Sequence, residues 1–535
     1  MPKKNQDTME KRILIAFALS FLVFTVYMRL FAPPPVTAPE GAVEIDQERE
    51  PPAAFAGKAE TALSPPIGTG GAEEADAEAR RERFEREVRV ETPLYQAVFS
   101  NRGATLRSFI LKQHEDGEGR PFEMVPVEAS ERLGIHPLEI KLEDPGRSDA
   151  INEALFEVSR QGLRLAAEQT GSLEFLWADG RGMEVRKKIA FSGSSYVLDV
   201  EVSVRQSGSE LSKTLLYGPG VGEELVSSRY VQPDKGVIQS GEELRLFRAA
   251  DIDDGQRGAL EVTAVGVSSH YFAALLVPDP GQSYAASLSK QSLELEGSSP
   301  RRDFITAALE TRDRTASFRL FIGPKDHELL AALGPGLEHA IEYGDWMRFM
   351  ALPLRSGLLW IHGWVGNYGW SIVLLTFLIN VALVPLKHHS YVSMRKMQEL
   401  SPQIKRIQER YKKFKPTDPR RQEMNKEVYG LYKQHNVSPL SGCLPMLLMI
   451  PFFFAFYRLL MVSIELRHAP FILWIQDLSA EDPYFVLPIL MGVSQIVMQR
   501  MTPQTSADPV QAKLMMLMPV VFVFILAWAP SGLVL

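Results

Sequence analysis

The sequence predicts a multi-domain membrane protein in which a β-sandwich domain precedes an α-helical transmembrane bundle. Three observations support this fold class. Apolar runs are concentrated at residues 13–31 and after residue 346 of the 535-residue chain. The part between them alternates apolar with polar residues, as half-buried strands do. A loop rich in lysine and arginine follows the first apolar run of the C-terminal part and predicts which parts face the cytoplasm.

Residues 1–31 are predicted to form an N-terminal transmembrane anchor. Four basic residues precede the apolar run Ile13–Met28, and no clean small-x-small cleavage site follows it. The alternative is a cleaved signal peptide. The basic flank predicts a cytoplasmic N-terminus. Residues 32–88 are rich in Pro, Ala, Glu and Gly, which is typical of a flexible linker.

Residues 89–325 are predicted to form the β-sandwich. Ser195–Val204 alternates apolar and polar positions, which indicates a strand with one buried face. Clusters of Gly, Ser, Asp and Pro separate it from the other candidate strands. These strands are Leu173–Trp177, Glu184–Phe191, Tyr271–Pro278 and Ala316–Pro324. Many strands with few helical periods favour a sandwich.

Residues 326–367 are predicted to be connecting and interfacial helices. The stretch DHELLAALG indicates a short helix. Arg348–Asn367 is amphipathic and aromatic, which fits a helix lying in the membrane interface. A core helix of a soluble domain is the alternative interpretation.

Residues 368–535 are predicted to form the membrane-embedded core. Its candidate spans are Tyr368–Leu386, Leu444–Val462, Tyr484–Met498 and Leu514–Trp528. The last two are shorter than the ~20 residues that a helix needs to cross a bilayer. They therefore suit a thinned bilayer, or helices that are tilted or partly buried.

Residues 387–437 are predicted to form a cytoplasmic helical hairpin. Thirteen lysines and arginines stand there against five acids, and such loops stay in the cytoplasm. This placement agrees with a cytoplasmic N-terminus and puts residues 32–345 in the periplasm. The hairpin either only enforces topology or docks anionic lipid headgroups, ribosomal RNA or a nascent chain. The candidate docking residues are Arg395, Lys396, Lys405, Arg406, Arg410, Lys412 and Lys413.

The chain carries no motif that indicates an enzyme, a cofactor or a metal site. It lacks HExxH, P-loop, GxSxG and CxxC patterns, and Ser287–Lys290 matches only the weak SxxK pattern. Its single cysteine, Cys443, excludes an intrachain disulfide. The net charge of −7 does not indicate a nucleic-acid binder. We therefore expect no catalytic residue, no cofactor and no metal.

Polar residues inside the apolar segments are the candidate functional residues. Thr376 and Asn380 are four residues apart, so they lie on one face of a helix. Such groups usually face a bundle interior or a watery cavity. The alternative for Asn380 is a hydrogen bond between helices. Arg458 and Lys387 are candidate charges of the same site or its border, and snorkelling to headgroups is the alternative for Arg458.

Several ordered blocks in the C-terminal part resemble a known family. They are Asn367–Phe377, Ser393–Pro402, Val437–Arg458, Glu465–Tyr484 and Leu487–Val493. Together they resemble the YidC/Oxa/Alb family of membrane protein insertases, in the long form found in Gram-negative bacteria. The resemblance extends from about Asp345 to the end. Ser268–Pro278 and Gly323–Asp326 are the most similar stretches of the middle domain.

The resemblance implies a protein that inserts and folds inner-membrane proteins, alone or with the Sec translocon, without catalytic residues or nucleotide. It implies a multi-pass protein of the bacterial inner membrane whose periplasmic domain is a β-supersandwich. A hydrophilic groove, open to the cytoplasm and to lipid, would receive the polar part of a substrate helix. The implied partners are nascent membrane proteins, the Sec translocon, the ribosome and anionic lipids.

The chain departs from the family pattern at two places. The family usually has a cation at the position of Asn380, so polarity is kept there but charge is lost. Pro530-Ser531-Gly532 ends one helix and the chain stops at Leu535, where the family continues with another helix. We therefore expect a truncated last helix. The alternative functional classes are a transporter or channel, and a membrane-anchored β-sandwich that binds or cleaves glycans.

Overall fold

The computed structural model describes ten stretches of the chain. They are residues 80–222, 232–252, 256–279, 284–294, 302–312, 314–344, 347–414, 418–435, 444–501 and 509–535. All of them belong to one compact unit, Glu74–Leu535. The predicted anchor and most of the predicted linker lie outside the described residues.

A β-rich domain occupies the first half of the described chain. Its first ten strands are β1 (Glu87–Glu91), β2 (Tyr95–Ser100), β3 (Thr105–Glu115), β4 (Pro121–Glu123), β5 (Ile140–Lys141), β6 (Glu157–Val158), β7 (Gly162–Arg164), β8 (Thr170–Ala178), β9 (Met183–Ser192) and β10 (Val197–Gln206). The others are β11 (Ser209–Glu210), β12 (Lys213–Tyr217), β13 (Lys235–Ser240), β14 (Glu243–Arg248), β15 (Gln256–Leu260), β16 (Ala264–Ser268), β17 (Phe272–Pro278), β18 (Ala285–Leu293), β19 (Arg302–Thr311) and β20 (Ala316–Pro324). Each of the five strands predicted from the sequence overlaps an observed one.

The strands form three sheets. The largest has the order β14-β13-β16-β17-β20-β10-β9-β8-β6, with β11 paired to β10. The other two have the orders β4-β3-β2-β1-β7 and β15-β18-β19-β12-β5. The sheets pack together because their strands have a buried face. In β9, for example, the residues are alternately buried and solvent-facing along much of the strand. Buried apolar residues from all three sheets belong to one core. The finer description as a supersandwich stays a prediction.

The rest of the described chain is helical. Two short helices lie within the β-rich domain, α1 (Val127–Leu133) and α2 (Pro145–Glu153). The helices after it are α3 (His327–Leu333), α4 (Arg348–Val365), α5 (Tyr368–Ala382), α6 (Val384–Arg410), α7 (Arg420–Gln434), α8 (Leu444–Val462), α9 (Val486–Met501), α10 (Pro509–Leu526) and α11 (Ser531–Val534).

The predicted apolar segment Tyr368–Leu386 is not one helix. Helix α5 ends at Ala382, and α6 begins at Val384 after a bend of 57°. Pro385 lies in the first turn of α6, where its missing N–H is tolerated, whereas it would break the ladder of a continuous helix. In the described part of the chain, only this bent pair has the length and apolar character that crossing a membrane requires; none of the helices meets that requirement singly.

Helices α6 and α7 form the predicted hairpin. Met397, Leu400 and Ile404 of α6 are buried, and they pack against Val428, Leu431 and Tyr432 of α7. Most basic residues of α6 are exposed and lie off this seam, whereas its apolar residues recur every three or four positions on one face. The bend at Leu383 therefore connects α5 directly to the hairpin.

Candidate functional site

Helix α5 is covered on one face along its first half and is open along most of its second. Ser371, Ile372 and Leu375 are buried. Thr376 and Phe377 are exposed, and Asn380 is half-buried. The two polar residues predicted from the sequence therefore lie on the open half.

A chain of hydrogen bonds connects the polar residues of the open half. The side-chain amide of Asn380 donates from Nδ2 to the backbone oxygen of Thr376 at 2.8 Å. Lys387 of α6 donates from Nζ to Asn380 Oδ1 at 2.6 Å. A bond from a charged donor is stronger than a bond between neutral groups. Lys387 thus supplies a positive charge at Asn380, and we refer to Thr376, Asn380 and Lys387 as the polar site.

The polar site can bind polar groups in an apolar setting. An ammonium has three donors, and the bond to Asn380 uses one of those on Lys387. The exposed hydroxyl of Thr376 can both donate and accept. The neighbouring side chains Phe377, Val381 and Val384 are exposed and apolar. Such a combination suits a guest that has both polar and apolar parts.

A loop covers the first half of α5. We name residues 463–485, between α8 and α9, the covering loop. Asn367 Nδ2 donates to the backbone oxygens of Pro470 and Phe471 at 3.1 and 3.2 Å. A Cβ added to Gly369 would lie 2.1 Å from the ring of Phe471, so only glycine permits this approach. The loop therefore packs directly on the start of α5.

Buried hydrogen bonds hold the covering loop in shape. Asp482 is buried and accepts from Trp474 Nε1 at 3.0 Å and from the backbone N–H of Leu487 at 2.7 Å. The backbone N–H of Ser531 donates to Ala480 O at 2.7 Å, which joins the loop to α11. The loop therefore has fixed partners at α9 and α11, whereas Phe377, Leu378 and Val381 of the open half of α5 are exposed.

The structure separates the other predicted site residues from the polar site. Arg458 of α8 lies near the β-rich domain, where its charge helps to lower the pKa of His270 and Lys325, although burial is the larger cause for both. The seven predicted docking residues of the hairpin are all exposed. Among them, Arg410 pairs with Glu427 at 3.0 Å.

Arg355 is an important residue that the sequence did not reveal. It lies on α4, is only 5% exposed, and donates to Glu328 and Glu465. A signal was present, because the buried apolar residues Ala351 and Leu358 lie four residues before it and three after it, on the same face. A charge within an apolar stripe indicates a buried ion pair.

The comparisons with known proteins agree with this architecture. A family model described as the YidC periplasmic domain matches residues 87–356, and one described as 60Kd inner membrane protein matches residues 360–535. A curated relative named membrane protein insertase YidC, from Geobacter sulfurreducens, is 36% identical over 98% of this chain and 95% of its own length. One of the same name from Syntrophus aciditrophicus is 33% identical over 98% of this chain and 96% of its own length.

A solved structure titled as an active YidC insertase aligns with 86% of this chain and 92% of its own, at 19% identity and a TM-score of 0.34. The family assignment follows from the sequence matches. The curated relatives are named insertases, which is a non-enzymatic function. With two family models that together match most of the chain and relatives above 30% identity over nearly all of it, the chain belongs to the YidC family of membrane protein insertases.

Proposed function

We propose that the protein inserts and folds inner-membrane proteins, alone or with the Sec translocon, by receiving their polar parts at the polar site. The observation that carries this proposal is the hydrogen-bonded series in which Lys387 of α6 joins Asn380 and Thr376 on the open half of α5. Each backbone polar group without a partner in hydrocarbon costs several kcal/mol. Polar partners placed beside apolar surface lower this cost for a passing chain.

The open and covered halves of α5 give the site a direction. The open half continues through the bend into the hairpin, whose exposed cations suit anionic lipid headgroups, ribosomal RNA or a nascent chain. The covering loop closes the other half. In the proposed topology the N-terminus and the hairpin are cytoplasmic, whereas residues 32–345 are periplasmic. A substrate would then enter from the hairpin side and leave sideways into lipid.

Insertion by the purified full chain in proteoliposomes tests this function. The substrate is a single-spanning protein whose translocated tail is polar, and insertion is measured as protection of that tail from added protease. Asn380→Leu should reduce protection of the polar tail and leave an apolar tail unaffected. Gln398→Leu is the matched control, because Gln398 is exposed on α6 away from the site.

Two results would refute the proposed function. One is equal protection of the polar tail by wild type and Asn380→Leu at equal protein levels. The other is rapid passage of small solutes through proteoliposomes that insert no substrate, which would indicate a transporter.

A further inference from the structure

Arg355 connects three separate parts of the fold. From α4 it donates through Nη1 and Nη2 to the two carboxylate oxygens of Glu328 on α3, both at 2.7 Å. Nε and Nη2 also donate to Glu465 at 3.0 and 2.6 Å. Glu465 belongs to the first turn of the covering loop. One side chain therefore links the end of the β-rich domain, α4 and the covering loop.

The charges around Arg355 make its contacts strong. Asp326 adds a third carboxylate at 3.4 Å. The hydrogen bond from Arg355 lowers the pKa of Glu328 to about 2. A guanidinium matches carboxylates with a rigid fork of donors, which a lysine lacks. Removing a buried cation from such a group is costly, because it leaves carboxylates that face one another without a counter-charge.

Two further contacts fix the same end of the covering loop to the β-rich domain. The guanidinium of Arg467 lies 5.1 and 5.2 Å from the ring centres of Phe122 and Phe272, within cation–π range. His270 Nε2 hydrogen-bonds Met461 O, at the end of α8, at 2.8 Å. The end of α8 and the start of the covering loop are therefore both in contact with the β-rich domain.

The covering loop buries part of α5. Leu466, Ile475 and Leu478 of the loop belong to the same buried cluster as Ile372 and Leu375 of α5. Leu375 immediately precedes Thr376 of the polar site. The loop and α4 together therefore cover the half of the helix that ends at Leu375.

We propose that Arg355 is a positioning residue for insertion, which holds the covering loop against the end of the β-rich domain and so keeps the polar site closed on that side. The proposal rests on the proposed function. It gives the β-rich domain a specific part in that function, since Asp326 and Glu328 follow its last strand directly. Weakening the contact should let water and solutes reach the covered half of α5 from the side of the loop.

Cysteine accessibility on the full chain tests the proposal. Ser371 is fully buried in the covered half of α5, so Ser371→Cys, with Cys443→Ser, places one small reporter there. A membrane-impermeant maleimide added from the periplasmic side should label it slowly. Arg355→Met should raise the labelling rate about tenfold or more, because the loop then opens more often. Arg355→Lys should give a smaller rise, because it keeps the charge and loses the fork.

Matched variants keep the test specific. Glu465→Gln should raise labelling in the same way, because it removes the loop's own partner of Arg355. Arg348→Met is the control on the same helix, because Arg348 pairs with Glu338 at 2.8 Å instead. Protease resistance of the β-rich domain, measured in each variant, reports whether that domain is still folded.

Wild-type labelling rates in Arg355→Met and Glu465→Gln would overturn the proposal. An equal rise in Arg348→Met would also overturn it, since that would show general loosening. These outcomes are distinct from failure of the proposed function. A wild-type chain that inserts no substrate would refute the function, whereas the labelling would still report the position of the loop.

Discussion

Replacing Lys387 by glutamine should abolish a preference for acidic translocated tails. Glutamine keeps polar groups at this position but removes the charge that Lys387 brings to Asn380. A substrate tail that carries glutamate likewise differs from the same tail with glutamine in charge, whereas both tails are polar. The ratio of their insertion rates therefore isolates the contribution of the charge.

The size of the effect follows from the exposure of Lys387, which is half-buried. An ammonium and a carboxylate at ~4 Å attract by about 1 kcal/mol in water and about 4 kcal/mol near a protein surface. Water reaches the open half of α5, so the lower part of this range applies, about 1–2 kcal/mol. That corresponds to a rate ratio of about 5 to 30 for the wild type and of about 1 for Lys387→Gln.

Insertion of paired substrates in proteoliposomes measures this ratio. The double variant Lys387→Gln, Asn380→Arg places a positive charge on α5 instead of α6. It should therefore restore the preference for the acidic tail. Lys405→Gln is the control, because Lys405 is exposed on the hairpin and lies outside the polar site. A preference that survives in Lys387→Gln would refute the assignment of the charge to Lys387.

Three other predictions concern the β-rich domain and the hairpin. Lys187→Met should destabilise the full chain by about 3 kcal/mol, because this buried ammonium donates to three backbone carbonyls at 2.7, 3.2 and 2.7 Å. Burial lowers the pKa of Lys187 from 10.5 to about 7. As pH rises through this interval, the free energy of unfolding of the wild type should therefore increase relative to that of Lys187→Met. Denaturant unfolding that gives the same difference between the two proteins at every pH would contradict this. Burial likewise lowers the pKa of His270 from 6.5 to about 4, although its hydrogen bond to Met461 O favours the protonated ring. Burial of the imidazole should therefore become less favourable as pH falls over that interval, because the opened state binds the proton first. Hydrogen exchange at the end of α8 should increase there in wild type and not in His270→Gln. The double variant Lys405→Glu, Arg406→Glu should bind anionic lipid more weakly, since each cation near such a surface contributes about 1 kcal/mol. Energy transfer from a labelled hairpin to labelled anionic lipid in proteoliposomes should then decrease. An unchanged signal would exclude anionic lipid as the target of the hairpin.

The strands and the face shared by Thr376 and Asn380 could be predicted because they depend on local periodicity. Strand β9 alternates buried and solvent-facing residues along much of its length, and this pattern is visible in the sequence. Residues four apart on a helix are neighbours whatever surrounds them, so the pairing of Thr376 with Asn380 needed no knowledge of the fold.

The contacts of Lys387 and Arg355 could not be predicted, because they depend on tertiary geometry. Lys387 reaches Asn380 across the 57° bend at Leu383, and a pattern of apolar residues does not give an angle. Arg355 meets Glu328 and Glu465 from 27 and 110 residues away. Its place in an apolar stripe indicated burial, but nothing in the sequence indicated which carboxylates it would meet.

Photo-crosslinking of a stalled substrate to α5 tests the central proposal most directly. A photoreactive amino acid is placed in the full chain at Thr376 or Asn380 on the open half, and at Ser371 or Leu375 on the covered half. The proposal predicts crosslinks between the polar part of the substrate and both open positions, and none at the covered ones. Equal crosslinking at all four positions, or crosslinks only at the covered pair, would contradict it.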